Sequence, residues 1–207
     1  MGIMEESVGD FIRVENQTSD VLLKDELLGE ISDEELGIAV SPERAKNKSR
    51  RYCVRCILTN EKGEVCVIRS EKYGYQQIPG GRVDAGEHIL AALERETHEE
   101  AGCMIKNVKS LGYFIEHKNA AQNEWETEWV SFVFTAEVDQ EIGTQFEDYE
   151  REAGFAPVWL ELAEAMRLQA EAEKSYGDGT SNGSYNGRFA NRRDYLLLRK
   201  YTEIKQK

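Results

Sequence analysis

An α/β fold, one domain with extensions at either end, is what the 207-residue sequence predicts, on three observations. From Tyr52 onward, strand-like runs and helical segments alternate along the chain. Hydrophobic residues make up 40%, a globular composition at a length that allows a core of ordinary size. Third, a glycine-rich stretch, Gly80-Gly81-Arg82-Val83-Asp84-Ala85-Gly86-Glu87, feeds a helical segment that ends in Glu99-Glu100-Ala101-Gly102. The rest of the chain is organised around that junction.

Residues 1–48 are expected to be an extension, acidic up to position 40 and basic after it through Arg44, Lys46 and Lys48, with Arg50 and Arg51 just beyond. Phe11 to Val14 and Val21 to Leu23 fit two short strands of a hairpin, and Ser32-Asp33-Glu34-Glu35 fits a serine-capped helix start. This stretch is too poor in apolar residues to fold alone, so it packs on the main domain or on a second subunit as a homodimer contact. The basic cluster reads as a solvated linker. Tyr52 to Thr59 and Glu64 to Ile68 flank Asn60-Glu61-Lys62-Gly63, a hairpin signature. Cys53 and Cys56 stand three apart in that first strand and point to opposite faces, which suits buried thiols better than a zinc or redox pair.

Tyr73 to Pro79 leads into the glycines, which let the backbone approach a ligand closely. At about 100° per residue on a helix, Glu96, Glu99 and Glu100 share one stripe, while Leu90, Leu93, Thr97 and Ala101 share the next. Such a helix can dock its apolar side on a sheet and turn three carboxylates to a cleft, a donor set suited to a hard cation. Val108 to Glu116 and Trp125 to Val138 read as strands, with His117 to Asn123 as a polar loop between them. Gln145 to Gly154 precedes a strand at Pro157-Val158-Trp159-Leu160 and a helix over 161–172. Residues 174–187 are rich in Gly, Ser and Asn and read as a flexible connection to a helix over 189–201. The expected division is therefore 1–48, 49–172 and 173–207.

A net charge of -13 disfavours nucleic acid or an anionic membrane as a partner, and no apolar run approaches the roughly 18 residues that span a bilayer. The first ten residues lack a basic start and an apolar core, so the expectation is a cytoplasmic protein without an export signal.

The spacing of Gly81, Glu87, Arg95-Glu96, Glu99-Glu100 and Gly102 resembles the Nudix box. Thr97 and Cys103 depart from the aliphatic residues of that pattern, at positions that fill the core. The resemblance implies a mixed β-sheet sandwiched between helices. It also implies hydrolysis of the pyrophosphate of a nucleoside diphosphate linked to another moiety, assisted by Mg2+ or Mn2+. On that reading Glu96, Glu99 and Glu100 are ligands, with Glu87 nearby and the Gly80 carbonyl as a further donor. Arg95 holds the box together through an acid such as Glu87 or Glu99. The general base stays open among Glu96, Glu100 and the loop acids Glu150 and Glu152. Gly81, Arg82, Trp125 and His117 are candidates for substrate contact. The proline of the ADP-ribose branch and the tyrosine of the dinucleoside polyphosphate branch are both missing from Lys118 to Ala121. A nucleoside triphosphate or nucleotide sugar is left as the expected substrate, with a catalytically silent nucleotide sensor as the alternative.

Overall fold

The computed structural model describes residues 24–38, 47–118, 125–177 and 185–206. In chain order it forms β1 (Leu27–Ser32), β2 (Asn47–Thr59), β3 (Val65–Ser70), β4 (Gln76–Gln77) and helix α1 (Ile89–Glu96), which continues as a π-helical turn over Thr97–Ala101. Then come β5 (Cys103–Lys118), β6 (Trp125–Glu141), the short helix α2 (Asp148–Glu152), β7 (Phe155–Leu160), α3 (Leu162–Gly177) and α4 (Tyr185–Lys205). Among the described residues the strands form one mixed seven-stranded sheet, in the order β1-β5-β6-β2-β3-β4 with β7 also on β3. β5 and β6 are antiparallel, β2 lies parallel to β6, and β1 lies parallel to β5.

Residues Cys53 to Leu58 are all buried, so β2 is covered on both faces and alternate side chains serve two cores. Val54, Cys56 and Leu58 join Phe132 and Phe134 against Ile89, Ala92 and Leu93 of α1. Ile57, Val67, Phe114 and Val133 face Ala165 of α3 and Phe189, Leu197 and Leu198 of α4. Helices thus cover both faces of the sheet, as expected. All four cysteines are buried and free.

Several boundaries differ from the sequence reading. The expected hairpin at Phe11 to Leu23 lies outside the described residues. Part of the N-terminal stretch is a sheet strand, β1, and Arg50 and Arg51 belong to β2 and not to a linker; Arg50 pairs with Glu128 of β6 at 2.8 Å. Ser32 does cap, but only a single turn: its hydroxyl accepts from Glu35 N, and Glu35 accepts from Ser32 N. The turn does not continue into a helix, and Gly37 reverses the chain at a left-handed φ of 65°. β5 reaches Lys118, which makes His117 a strand residue, since the ladder to β6 continues to Lys118↔Thr127. The Gly/Ser/Asn-rich connection begins later, because α3 runs to Gly177.

Candidate active site

Three segments build the site: the end of α1, the 79–83 stretch and α2. The 79–83 stretch is held against β2 as an antiparallel neighbour, through Cys56 N to Pro79 O, Val54 N to Gly81 O and Val83 N to Tyr52 O, each 2.9 Å. That contact requires glycine at position 80. Its φ is 137°, and a Cβ there would stand 2.2 Å from the carbonyl oxygen of Val54. At Gly81 the reason is space on the other side, where an added Cβ would meet the Glu96 carboxylate at 2.5 Å.

α1 brings its carboxylates under this loop. Ile89, Ala92 and Leu93 anchor it, and the π-helical turn carries Glu99 and Glu100. Thr97 is fully buried, and its hydroxyl donates to the Leu93 carbonyl at 2.8 Å, so a polar residue is satisfied where the pattern wants an aliphatic one. Gly102 then stops the helix with φ 67° and donates to His98 O.

Arg95 gathers the carboxylates. Its Nε and Nη2 donate to the two oxygens of Glu87 at 2.8 and 2.9 Å, and its Nη1 donates to Glu96 at 2.8 Å and Glu99 at 3.2 Å. Nη2 also donates to the carbonyl of Arg82, tying the helix to the loop. The hydrogen bond to Glu87 chiefly, with Glu96, raises the Arg95 pKa, and Arg95 in turn lowers that of Glu87. Glu100 is buried and accepts from Gly80 N at 2.7 Å. Burial first, and then the neighbouring Glu96, push its pKa up to about 8; Glu96 is raised by burial in spite of Arg95.

Glu150 contributes to the rise of Glu100, so this α2 carboxylate stands within electrostatic reach of the cluster. It accepts from Glu147 N and from the Tyr149 hydroxyl. Glu152, by contrast, is exposed at the end of α2. His117 is engaged elsewhere, with Nε2 at 3.0 Å from Glu30 of β1. The Arg82 side chain is exposed, and that of Trp125 lies outside the described residues.

One residue absent from the expected set is Arg55. Its guanidinium, 4% exposed, donates to the Gly80 carbonyl from the face of the sheet opposite α1 and draws down the pKa of both Glu96 and Glu100. A single charge inside the apolar run Cys-Val-Arg-Cys-Ile-Leu was the available signal. The Gly80 carbonyl is thus already hydrogen-bonded. Among the described residues, no three acidic, histidine or cysteine side chains converge tightly enough to hold a metal ion as they stand. The donor chemistry nevertheless fits a hard divalent cation: carboxylate oxygens only, two of them crowded and short of water.

Residues 49–178 match the NUDIX domain family. The chain belongs to the Nudix hydrolase family. Its sheet and flanking helices are therefore the Nudix fold, and Gly81 to Gly102 is its Nudix box. The chain is 33% identical over 113 residues to an 8-oxo-dGDP phosphatase of Mus musculus, an alignment covering 53% of this chain and 32% of that protein. It is 36% identical over 109 residues to an 8-oxo-dGTP diphosphatase of Haemophilus influenzae, covering 51% of this chain and 71% of that one. The chain spans only about a third of the mouse relative. A Nudix hydrolase structure from Nitrosomonas europaea is similar over 64% of this chain and 92% of its own, with 20% identity and a TM-score of 0.46. No described helix is long and apolar enough to cross a membrane.

Proposed function

We propose that this Nudix protein is a pyrophosphohydrolase that cleaves the phosphate chain of a nucleoside di- or triphosphate, with purine nucleotides such as 8-oxo-dGDP and 8-oxo-dGTP the first to test. The observation that carries the reading is the group Glu87, Glu96, Glu99 and Glu100, the first three gathered by Arg95 and the fourth held by Gly80 N under the Gly80-Gly81 loop. The named relatives act on oxidised guanine nucleotides, which supports nucleoside phosphates over nucleotide sugars.

Glu96, Glu99 and Glu100, with Glu87, would hold Mg2+ or Mn2+, which neutralises phosphate charge and lowers the pKa of water. The chain's own residues then do three things. Arg95 fixes Glu87, Glu96 and Glu99 in place, so little reorganisation is left for the moment of reaction. Gly80 and Gly81 let the loop pack directly on β2 and on the Glu96 carboxylate, with no side chain between. Glu150 is the better placed of the two α2 acids to take a proton from the attacking water, because it is half-buried and within electrostatic reach of Glu100 while Glu152 is exposed.

The test is a panel of nucleoside di- and triphosphates, their 8-oxo forms, nucleotide sugars and ADP-ribose, each with Mg2+ or Mn2+, and with Glu100→Gln as control. Turnover of a nucleoside phosphate that vanishes in the variant supports the reading. Ligand binding without any phosphate or nucleotide release would turn it to a nucleotide sensor.

A further inference from the structure

The family match ends at residue 178, yet α4, which begins at Tyr185, reaches the glycine loop. Asp194, fully buried, accepts a hydrogen bond from the backbone N–H of Ile78 at 2.7 Å through its Oδ2. Its other oxygen accepts from Arg193 Nε at 2.7 Å, and Arg193 Nη1 donates to Glu116 of β5 at 3.2 Å. Glu116 is also paired with Lys118 at 3.3 Å. Burial by itself would raise the Glu116 pKa, but Lys118, Arg193 and Arg55 hold it down at about 2. Asp194 is thus fixed by an ion-paired chain anchored in the sheet.

Ile78 is separated from Gly80 only by Pro79. The backbone around that proline is gripped from behind at two points, Ile78 N by Asp194 and Gly80 O by Arg55. From the front, Gly80 N is held by Glu100. A further contact, Gln169 of α3 to the Gln76 carbonyl at 3.3 Å, holds the approach strand. One set of hydrogen bonds thus joins Asp194, the Ile78–Gly80 backbone and Glu100.

We propose that Asp194, oriented by Arg193, is a positioning residue of the active site: it sets the Ile78–Gly81 backbone and through it the carboxylates that would hold the cation. α4 is on this account part of the catalytic apparatus as well as a cover for the sheet. The inference rests on the Gly80-Gly81 loop serving the cation and phosphate site.

The experiment uses the full chain with Asp194→Asn, which keeps an acceptor for Ile78 N, and Asp194→Ala, which does not. Hydrogen exchange of the 76–81 segment is read without metal, and Mn2+ affinity by electron paramagnetic resonance. Loss of an outer partner of a metal site typically weakens binding about 10- to 100-fold. The alanine variant should fall in that range, with faster exchange at Ile78 and a loss in kcat larger than any change in KM, while the asparagine variant, whose one carbonyl oxygen can accept from Ile78 N or from Arg193 Nε but not from both, falls between alanine and wild type. If the alanine variant does not fold, Arg193→Lys takes its place, since it keeps the charge but cannot reach Asp194 through Nε and Glu116 through Nη1 at once. Wild-type Mn2+ affinity and exchange in the folded alanine or lysine variant, even with a lower melting temperature, would overturn the proposal and leave a purely structural role. Absence of Mn2+ binding in wild type would instead sink the cation-site reading itself.

Discussion

A carboxylate that has lost its water, has a neighbour of its own sign and keeps one backbone hydrogen bond is driven toward its protonated form, and Glu100 is in that position. With its folded pKa near 8 against an ordinary 4.5, the folded metal-free protein binds a proton that the unfolded chain releases. That contribution to stability is fully present below about pH 4.5 and is lost as pH rises through about 8. The melting temperature in EDTA should therefore fall between pH 6 and pH 9, and the fall should be smaller in Glu100→Gln; a flat profile in wild type would count against the burial argument. Arg95 makes a second prediction. A lysine keeps the charge but cannot span Glu87, Glu96 and Glu99 at once, so Arg95→Lys should reduce Mn2+ affinity or turnover about 10- to 100-fold with the fold intact by circular dichroism. Gly81→Ala is expected to act more locally, displacing the Glu96 carboxylate and lowering activity with little effect on the melt.

At the scale of the element, α1 and the 79–83 stretch act as a pair. The π-helical turn over Thr97–Ala101 carries Glu100, whose carboxylate reaches Gly80 N, while Thr97 closes the preceding turn through its hydroxyl. Because a net hydrogen bond is worth roughly 0.5–1.5 kcal/mol and a valine methyl would refill the same space, Thr97→Val should change stability by no more than about 1 kcal/mol in a denaturant melt. Gly80→Ala is different in kind. It puts a side chain at φ 137° and into the Val54 carbonyl, and a cost of about 1–3 kcal/mol for the backbone alone is expected. A denaturant midpoint unchanged by that substitution would show that the loop is not held against β2 as described.

For the whole molecule, the long strands and helices from Tyr52 to Tyr201 are legible because their apolar patterns are strong, and the box because its spacing is so specific, whereas the two-residue β4 and the five-residue α2, read as a loop, are too short to show a pattern. Other features were hidden for physical reasons. β1 is a short edge strand of mixed polarity, and its place beside β5 is a non-local pairing that no local pattern announces. Nothing in the sequence separates Arg193 from Arg192: Arg192 is bound to Glu173, whereas Arg193 is 2% exposed and paired inside with Glu116 and Asp194. Burial of an ion pair depends on which face of α4 meets the sheet, and one residue of rotation separates the two arginines. Removing Arg193 would leave two buried carboxylates short of their partner, so Arg193→Ala should destabilise the chain by about 3–5 kcal/mol in a denaturant melt. The central claim is that the carboxylates under the glycine loop form a cation site for hydrolysis, and calorimetric titration of Mn2+ at pH 7 in two buffers of different ionisation enthalpy tests it most directly. The account predicts a single class of binding that releases about one proton per ion, since Glu100 must give up its proton to become a ligand, with both binding and proton release lost or sharply reduced in Glu100→Gln. Binding of equal strength in wild type and Glu100→Gln, with no proton released, would contradict it.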